Sequence, residues 1–166
     1  MRVFIRPLLQ APLAVLSKKK IVYSPHLIAR THMMKKIDQL ILVDDHHPTN
    51  VIHQIAAEEA GCAKSIKAFT DPASALRYLQ QLTTKSFTGS TLIILDVKMP
   101  RIDGWTFANQ LNTMTQNSRF NPKIIMTSNV RSSEHLSKMR SEPLIYDYLE
   151  KVLTAEQFAQ FAQGLF

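Results

Sequence analysis

The sequence predicts an α/β fold, a doubly wound (βα)5 arrangement in which a five-stranded parallel sheet lies between two layers of helices. From residue 39 onward, short apolar runs alternate with amphipathic stretches. Each run is apolar at successive positions, which is typical of strands buried on both faces of a parallel sheet. Right-handed crossovers between such strands place helices on both sides of the sheet.

The first half of the pattern predicts two strands and two helices. They are a strand at 40–43, a helix at 49–60, a weaker strand at 65–69 and a helix after Asp71-Pro72. Gly61 is a suitable residue to end the first helix, and Asp71 is a suitable cap for the second. Apolar residues recur at helical spacing: Val51, Ile52, Ile55 and Ala56 in the first helix, and Ala75, Leu76, Leu79 and Leu82 in the second.

The second half repeats the alternation after a polar loop at 83–90. The predicted strands are 91–95, 123–126 and 144–149. The predicted helices are one whose first part is 102–111, a short one at 132–139 and a final one with Phe158, Phe161 and Leu165. Thr154 and Gln157 have the spacing of a capping box for the final helix. Residues 112–120 are expected to form an extended polar connection.

The charge of the chain is unevenly distributed. The net charge is +7, but eight of the 20 basic residues lie in residues 1–37, which contain no Asp or Glu. The remaining twelve basic residues are balanced by all 13 acidic ones, so the rest of the chain carries −1. A nearly neutral domain has no basic face for a nucleic-acid backbone, which argues against DNA or RNA binding by the domain.

Residues 1–36 are therefore interpreted as a basic N-terminal extension, and residues 37–166 as one domain. The extension is expected to be disordered, or to result from the choice of start codon, since Met33 and Met34 lie just before the first strand. A transit peptide, or a membrane or nucleic-acid contact through Lys18, Lys19 and Lys20, remains an alternative. Its apolar patches are too short for the roughly 20 residues of a membrane span.

Polar side chains follow four of the predicted strands. They are Asp44 and Asp45 after the first, Asp96 after the third, Thr127 after the fourth and Lys151 after the fifth. In a doubly wound sheet these strand ends meet at one edge, where functional sites form. Three neighbouring carboxylates repel one another unless a cation lies among them, and oxygen ligands of this kind suit Mg²⁺.

This set of residues resembles the receiver domain of two-component response regulators. Met99-Pro100 and Asp103-Gly104 after Asp96 belong to the same pattern, and the resemblance spans about residues 37–166. It implies a flavodoxin-like fold. It also implies that Asp96 accepts a phosphoryl group, and that Asp45, Asp96 and the main-chain carbonyl of Lys98 bind Mg²⁺, with Asp44 acting through a metal-bound water.

The resemblance also implies roles for the other strand-end residues and for partners. Thr127 would bind one phosphoryl oxygen and Lys151 another, and Tyr148 matches the family's switch aromatic. The donor would be a sensor histidine kinase or a histidine phosphotransfer protein. No DNA-binding domain is expected after Phe166, so the output would be a downstream protein partner. The protein is expected to be cytoplasmic, without a membrane span, and to catalyse only its own Mg²⁺-dependent phosphorylation and dephosphorylation.

Several positions leave alternatives open. Val152 stands where the family usually has a proline in a cis peptide, so the sequence does not decide whether the Lys151–Val152 bond is cis. Lys98 and Asn129 are expected to flank the pocket, His46 and His47 to lie at its rim, and Trp105 to be a packing residue, whereas His53 and His135 suggest no role.

Two other functions fit parts of the pattern. One is a degenerate receiver that acts as a phosphorylation-independent scaffold, although the complete set of strand-end residues argues against it. The other is a phosphohydrolase of the haloacid dehalogenase type. That reading is disfavoured because those enzymes have their nucleophilic aspartate after the first strand and their acidic pair last.

Overall fold

The computed structural model describes residues 36–85, 87–129, 133–139 and 141–166. Apart from Lys36, the predicted N-terminal extension lies outside the described residues. Among the described residues, no helix is both long enough and apolar enough to cross a bilayer.

Strands and helices alternate along the described chain. The strands are β1 (Gln39–Val43), β2 (Ile66–Phe69), β3 (Thr91–Asp96), β4 (Lys123–Ser128) and β5 (Ile145–Glu150). The helices are α1 (His47–Glu59), α2 (Pro72–Thr84), α3 (Gly104–Thr115), α4 (Ser133–Met139) and α5 (Ala155–Gly164). The predicted (βα)5 order is confirmed.

The strands form one parallel sheet in the order β2-β1-β3-β4-β5. The chain moves outward from β1 to β2, then returns past β1 to β3 and continues to β5. The direction of winding therefore changes between the adjacent strands β1 and β3. This change leaves a crevice at their carboxyl ends, where ligands of such sheets bind.

The sheet separates two apolar cores. Successive side chains of a strand point to opposite faces, so Ile41 and Val43 of β1 lie in one core while Leu40 and Leu42 lie in the other. The first core includes side chains of α2 and α3, and the second includes side chains of α1 and α5. This confirms the predicted three-layer, flavodoxin-like sandwich.

The helix ends follow local capping chemistry. The Asp71 side chain accepts a hydrogen bond from the Ser74 amide at the start of α2, and Asp103 caps α3 in the same way. Thr154 and Gln157 form the predicted capping box of α5. Two predicted loops are shorter than expected, because α2 continues to Thr84 and α3 to Thr115.

The apolar residues that recur at helical spacing in α1 do not all face the core. Val51, Ile52 and Ile55 are 39%, 49% and 57% exposed. The buried side of the helix instead carries four residues, namely Thr49, Asn50, His53 and Ala57. The buried Asn50 and His53 make hydrogen bonds to main-chain groups of neighbouring segments, and these bonds offset the cost of burying them.

Candidate functional site

The carboxyl ends of β1 and β3 bring together the three predicted carboxylates. Asp44, Asp45 and Asp96 each offer one oxygen, and these oxygens all lie within 4.8 Å of one another. Asp44 and Asp96 are buried, whereas Asp45 is exposed. An all-oxygen donor set with one face open to solvent fits a hard cation such as Mg²⁺, which keeps several of its waters.

Asn50 on α1 fixes the main chain beside this acidic pair. Its Nδ2 donates to the carbonyl of Asp44 at 2.9 Å and to that of Phe69 at 3.1 Å, so one side chain joins the ends of β1 and β2. The His46 amide donates to Asp44 Oδ1 at 2.9 Å. This role of Asn50 was not predicted from the sequence. Its burial depends on how α1 packs against the sheet, which the local sequence does not indicate.

Lys151 supplies the positive charge of the pocket. Its Nζ lies 2.7 Å from Asp44 Oδ2 and 3.0 Å from Asp96 Oδ1, and its side chain is only 10% exposed. Burial raises the pKa of Asp96 above its usual value, and Lys151 only partly offsets this rise. Burial alone would lower the pKa of Lys151, but its bonds to Asp44 and Asp96 outweigh that effect and the pKa is raised.

The turn after β5 carries Lys151 to the carboxylates. The Lys151 amide donates to the Ser128 carbonyl at 3.0 Å, and the Leu153 amide donates to His53 Nε2 at 3.2 Å. The peptide bond between Lys151 and Val152 is cis, which answers the question that the sequence left open.

Thr127 and the remaining pocket residues come from β3, β4 and the segments that follow them. Thr127 pairs in register with Asp96 and is buried, with its Oγ1 donating to the Leu95 carbonyl at 3.4 Å. The lining of the depression, in chain order, is Asp44, Asp45, His46, Asp96, Lys98, Ser128, Asn129 and Lys151.

Gly104 allows α3 to begin directly against the site. A Cβ at this position would lie 2.5 Å from the carbonyl oxygen of Asp96 and 2.9 Å from Met126 Cε. The Gly104 amide donates to the Val97 carbonyl at 2.9 Å. The Asp103-Gly104 pair therefore combines a helix cap with a residue small enough to contact the main chain of Asp96.

Tyr148 lies in a second group beside the pocket, which we call the aromatic cluster: Trp105, His135 and Tyr148. Tyr148 is fully buried, and its hydroxyl is hydrogen-bonded to His135 Nδ1 at 2.7 Å. The rings of Trp105 and Tyr148 lie 6.5 Å apart and are nearly parallel, at 11°. Lys138 Nζ lies 4.7 Å from the centre of the Trp105 ring.

The structure thus brings seven predicted residues to the pocket lining. They are Asp44, Asp45, His46, Asp96, Lys98, Asn129 and Lys151. Thr127 lies beside Asp96 on the neighbouring strand, and Tyr148 lies in the aromatic cluster. Asn50, His53 and His135 were not among the predicted site residues. Nothing in the local sequence around either histidine distinguishes it from an exposed one.

Comparisons with solved structures support the same architecture. A two-component response regulator from Cytophaga hutchinsonii matches with a TM-score of 0.68 and 22% identity, covering 76% of this chain and 97% of that one. A chemotaxis protein from Vibrio cholerae matches with a TM-score of 0.59 and 19% identity, covering 78% of this chain and 99% of that one.

A third solved structure is the receiver domain of a histidine kinase from Arabidopsis thaliana, in complex with Mg²⁺. It matches with a TM-score of 0.60 and 16% identity, covering 80% of this chain and 92% of that one. A comparison with curated protein sequences gave no match. A family model of the response regulator receiver domain matches residues 40–163. The chain therefore belongs to the response regulator receiver domain family.

Proposed function

We propose that this chain is a phosphorylation switch in which Asp96 accepts a phosphoryl group from a histidine of a sensor kinase or phosphotransfer protein. The observation that carries the proposal is the position of the Asp96 carboxylate, which shares one pocket with two further aspartates and with the Lys151 ammonium. A carboxylate can act as a nucleophile towards phosphorus. The surrounding residues then contribute mainly by positioning the reacting groups and neutralising the charge of the phosphoryl oxygens. A cytoplasmic location is part of this proposal.

The acidic residues are proposed to hold Mg²⁺. Asp45, Asp96 and the main-chain carbonyl of Lys98 would bind the ion directly, and Asp44 would act through a bound water. When bound, the ion supplies positive charge to the phosphoryl oxygens. Lys151 contacts two of these carboxylates, Asp44 and Asp96. It would therefore compete with a metal ion for them in the unphosphorylated protein.

The transfer itself needs one bond exchange. A carboxylate oxygen of Asp96 forms a bond to phosphorus while the bond from phosphorus to the donor's imidazole nitrogen breaks, and the imidazole leaves with the electron pair. Lys151, which contacts Asp96 Oδ1 before transfer, would then bind an oxygen of the phosphoryl group. Thr127 on the neighbouring strand would donate its hydroxyl to another.

The aspartyl phosphate is proposed to change the face formed by α4, β5 and α5. Phosphorylation adds roughly −1.5 to −2 charge, which would draw the Thr127 hydroxyl away from the Leu95 carbonyl. Tyr148 would respond to the space that Thr127 leaves, since β4 and β5 are adjacent. A downstream protein that contacts this face would then distinguish the two states.

The surface beside the pocket supports docking of a protein donor. Val51, Ile52 and Ile55 on α1 and Val152 after Lys151 are the large apolar side chains exposed on the two segments that follow β1 and β5. Both segments start at pocket residues. A partner that delivers a phosphoryl group to Asp96 must approach this edge, and exposed apolar side chains there supply contact area.

Incubation with Mg²⁺ and acetyl phosphate tests the proposal. We expect intact-protein mass spectrometry to show addition of one phosphoryl group, and we expect Asp96→Asn to abolish it. Asp71→Asn is a matched control, because Asp71 caps α2 outside the pocket and asparagine is an equally good cap. Absence of modification, or modification that survives Asp96→Asn, would overturn the proposal. Absence would leave a phosphorylation-independent scaffold as the better description.

A further inference from the structure

His53 is a buried polar residue at the interface between α1 and the segment that follows β5. It is 1% exposed. Its ring lies edge-on to Phe158 of α5, with centroids 6.1 Å apart. The imidazole is therefore enclosed by the packing of α1 against α5. It also makes a polar contact, because one of its ring nitrogens accepts a hydrogen bond.

The Leu153 amide donates a hydrogen bond to His53 Nε2 at 3.2 Å. An amide can donate only to an unprotonated nitrogen, so the bond requires the neutral imidazole with its proton on Nδ1. Burial lowers the pKa of His53 to about 4. The acceptor is therefore present at neutral pH without any change in protonation.

This bond holds one end of the short segment that carries Lys151. The other end is held by the Lys151 amide, which donates to the Ser128 carbonyl at 3.0 Å. Between these two anchors the main chain has little freedom, and the Lys151 side chain reaches the carboxylates of Asp44 and Asp96. Beside burial, which has the largest effect, Asp44 raises the pKa of His53 and Lys151 lowers it.

We infer that His53 is a positioning residue for phosphoryl transfer, which acts by holding the Leu153 amide and so fixing the approach of Lys151 to Asp96. This inference rests on the proposed function. His53 touches none of the reacting atoms. Its effect passes through the main chain of residues 151–153 to the ammonium group that would neutralise the phosphoryl oxygens.

Two substitutions separate positioning from packing. His53→Leu fills the space of the imidazole with an apolar side chain but removes the hydrogen-bond acceptor. His53→Gln keeps an acceptor oxygen on a side chain of similar reach. Gln54→Leu is the control, because Gln54 is the next residue on α1 and is exposed. Circular dichroism and thermal unfolding establish that each variant is compared in its folded state.

The first measurement is the rate of phosphorylation by acetyl phosphate, set beside the affinity for Mg²⁺ from calorimetry. We expect His53→Leu to lower the rate about tenfold, a loss of one hydrogen-bonded anchor. Its Mg²⁺ affinity should stay equal or become tighter, because a loosened Lys151 competes less for the carboxylates. His53→Gln should recover most of the rate. Parallel losses of rate and Mg²⁺ affinity in both variants would instead indicate general structural damage and overturn the inference.

The second measurement does not depend on phosphorylation. Lys151 is buried and paired, so acetic anhydride should label it slowly in the Mg²⁺-free protein. His53→Leu should raise the labelling rate of Lys151 several-fold, whereas His53→Gln and Gln54→Leu should not. If the native protein is not phosphorylated at all, the proposed function fails, and this labelling still decides whether His53 positions Lys151. Unchanged labelling in His53→Leu would show that it does not.

Discussion

The acidic pocket and the aromatic cluster lie at the same edge of one sheet but are built in different ways. The pocket takes its charged groups from residues at the end of β3 and just after the ends of β1 and β5, so the parallel pairing of the strands brings these groups together. The aromatic cluster combines a residue of β5 with residues of α3 and α4, and helix packing sets its distances. The first arrangement can be inferred from strand ends alone, whereas the second cannot.

The two regions also differ in what stabilises them. In the pocket, buried charges face one another and Lys151 offsets the two carboxylates that it contacts. In the cluster, a hydrogen bond joins the Tyr148 hydroxyl to His135, and stacked rings supply the contact area. Removal of a partner from a buried ion pair costs more than removal of a neutral hydrogen bond. Substitutions in the pocket should therefore have the larger effects on stability.

The largest effect is expected for Lys151→Met in the absence of Mg²⁺. The substitution leaves Asp44 and Asp96 buried without their cation, which costs about 3 kcal/mol or more. The free energy of unfolding, measured by urea titration in EDTA, should fall by that amount. Added Mg²⁺ should stabilise the variant more than the native protein, because the ion no longer displaces Lys151.

Lys64→Met is the control for this prediction. Lys64 forms an ion pair with Asp38 at 2.7 Å, but its side chain is 64% exposed. An exposed pair of this kind contributes less than about 1 kcal/mol. If the two substitutions lower the free energy of unfolding equally, the buried charges of the pocket contribute no more to stability than an exposed ion pair does.

A second test uses the contribution of His53 to the pH dependence of the free energy of unfolding. The unfolded histidine takes up a proton near pH 6.5, but the folded one does so only near a pKa of about 4, because it is buried. Between these values the unfolded state binds more protons, so stability falls as the pH is lowered. At pH 5 the loss is about 2 kcal/mol relative to pH 7. His53→Gln, measured by urea unfolding at both pH values, should lose about 2 kcal/mol less than the native protein; equal losses would contradict the assigned pKa.

The contrast between the regions also explains what the sequence could predict. The order of strands and helices followed from apolar runs and caps such as Asp71, because these are local signals. The juxtaposition of Asp44, Asp45, Asp96 and Lys151 followed from topology, because a doubly wound sheet brings those strand ends together whatever the loops do. Neither conclusion needed the position of any helix side chain.

The residues that were missed depend on contacts between distant segments. Asn50 and His53 are buried polar residues on a helix whose large apolar side chains Val51, Ile52 and Ile55 are exposed, so the apolar periodicity does not identify the buried face of α1. Their burial is stabilised by main-chain groups at Asp44, Phe69 and Leu153, which no local pattern reveals. The contact of His135 with Tyr148 depends in the same way on how α4 lies against β5.

The aromatic cluster can be tested separately with Tyr148→Phe. This change keeps the ring and its stacking on Trp105 but removes the hydroxyl that bonds His135, so stability should fall by about 1 kcal/mol. The rate of phosphorylation by acetyl phosphate should stay within about twofold of the native rate, because the hydroxyl is not among the pocket groups. A tenfold loss of rate would show instead that the cluster and the pocket act as one unit.

The smallest effect is expected at the rim of the cluster, where Lys138 Nζ lies 4.7 Å from the centre of the Trp105 ring. An exposed cation–π contact contributes about 0.5 kcal/mol, so Lys138→Met should barely change the urea midpoint. It should still alter the fluorescence of Trp105, which is the only tryptophan in the sequence, because a charge over the indole is removed. Lys98→Met provides the comparison, since Lys98 lines the pocket and not the cluster. If Lys98→Met changed the emission as much as Lys138→Met does, the fluorescence of Trp105 would not report on the cluster alone. The pocket and the cluster would then not be independent of each other.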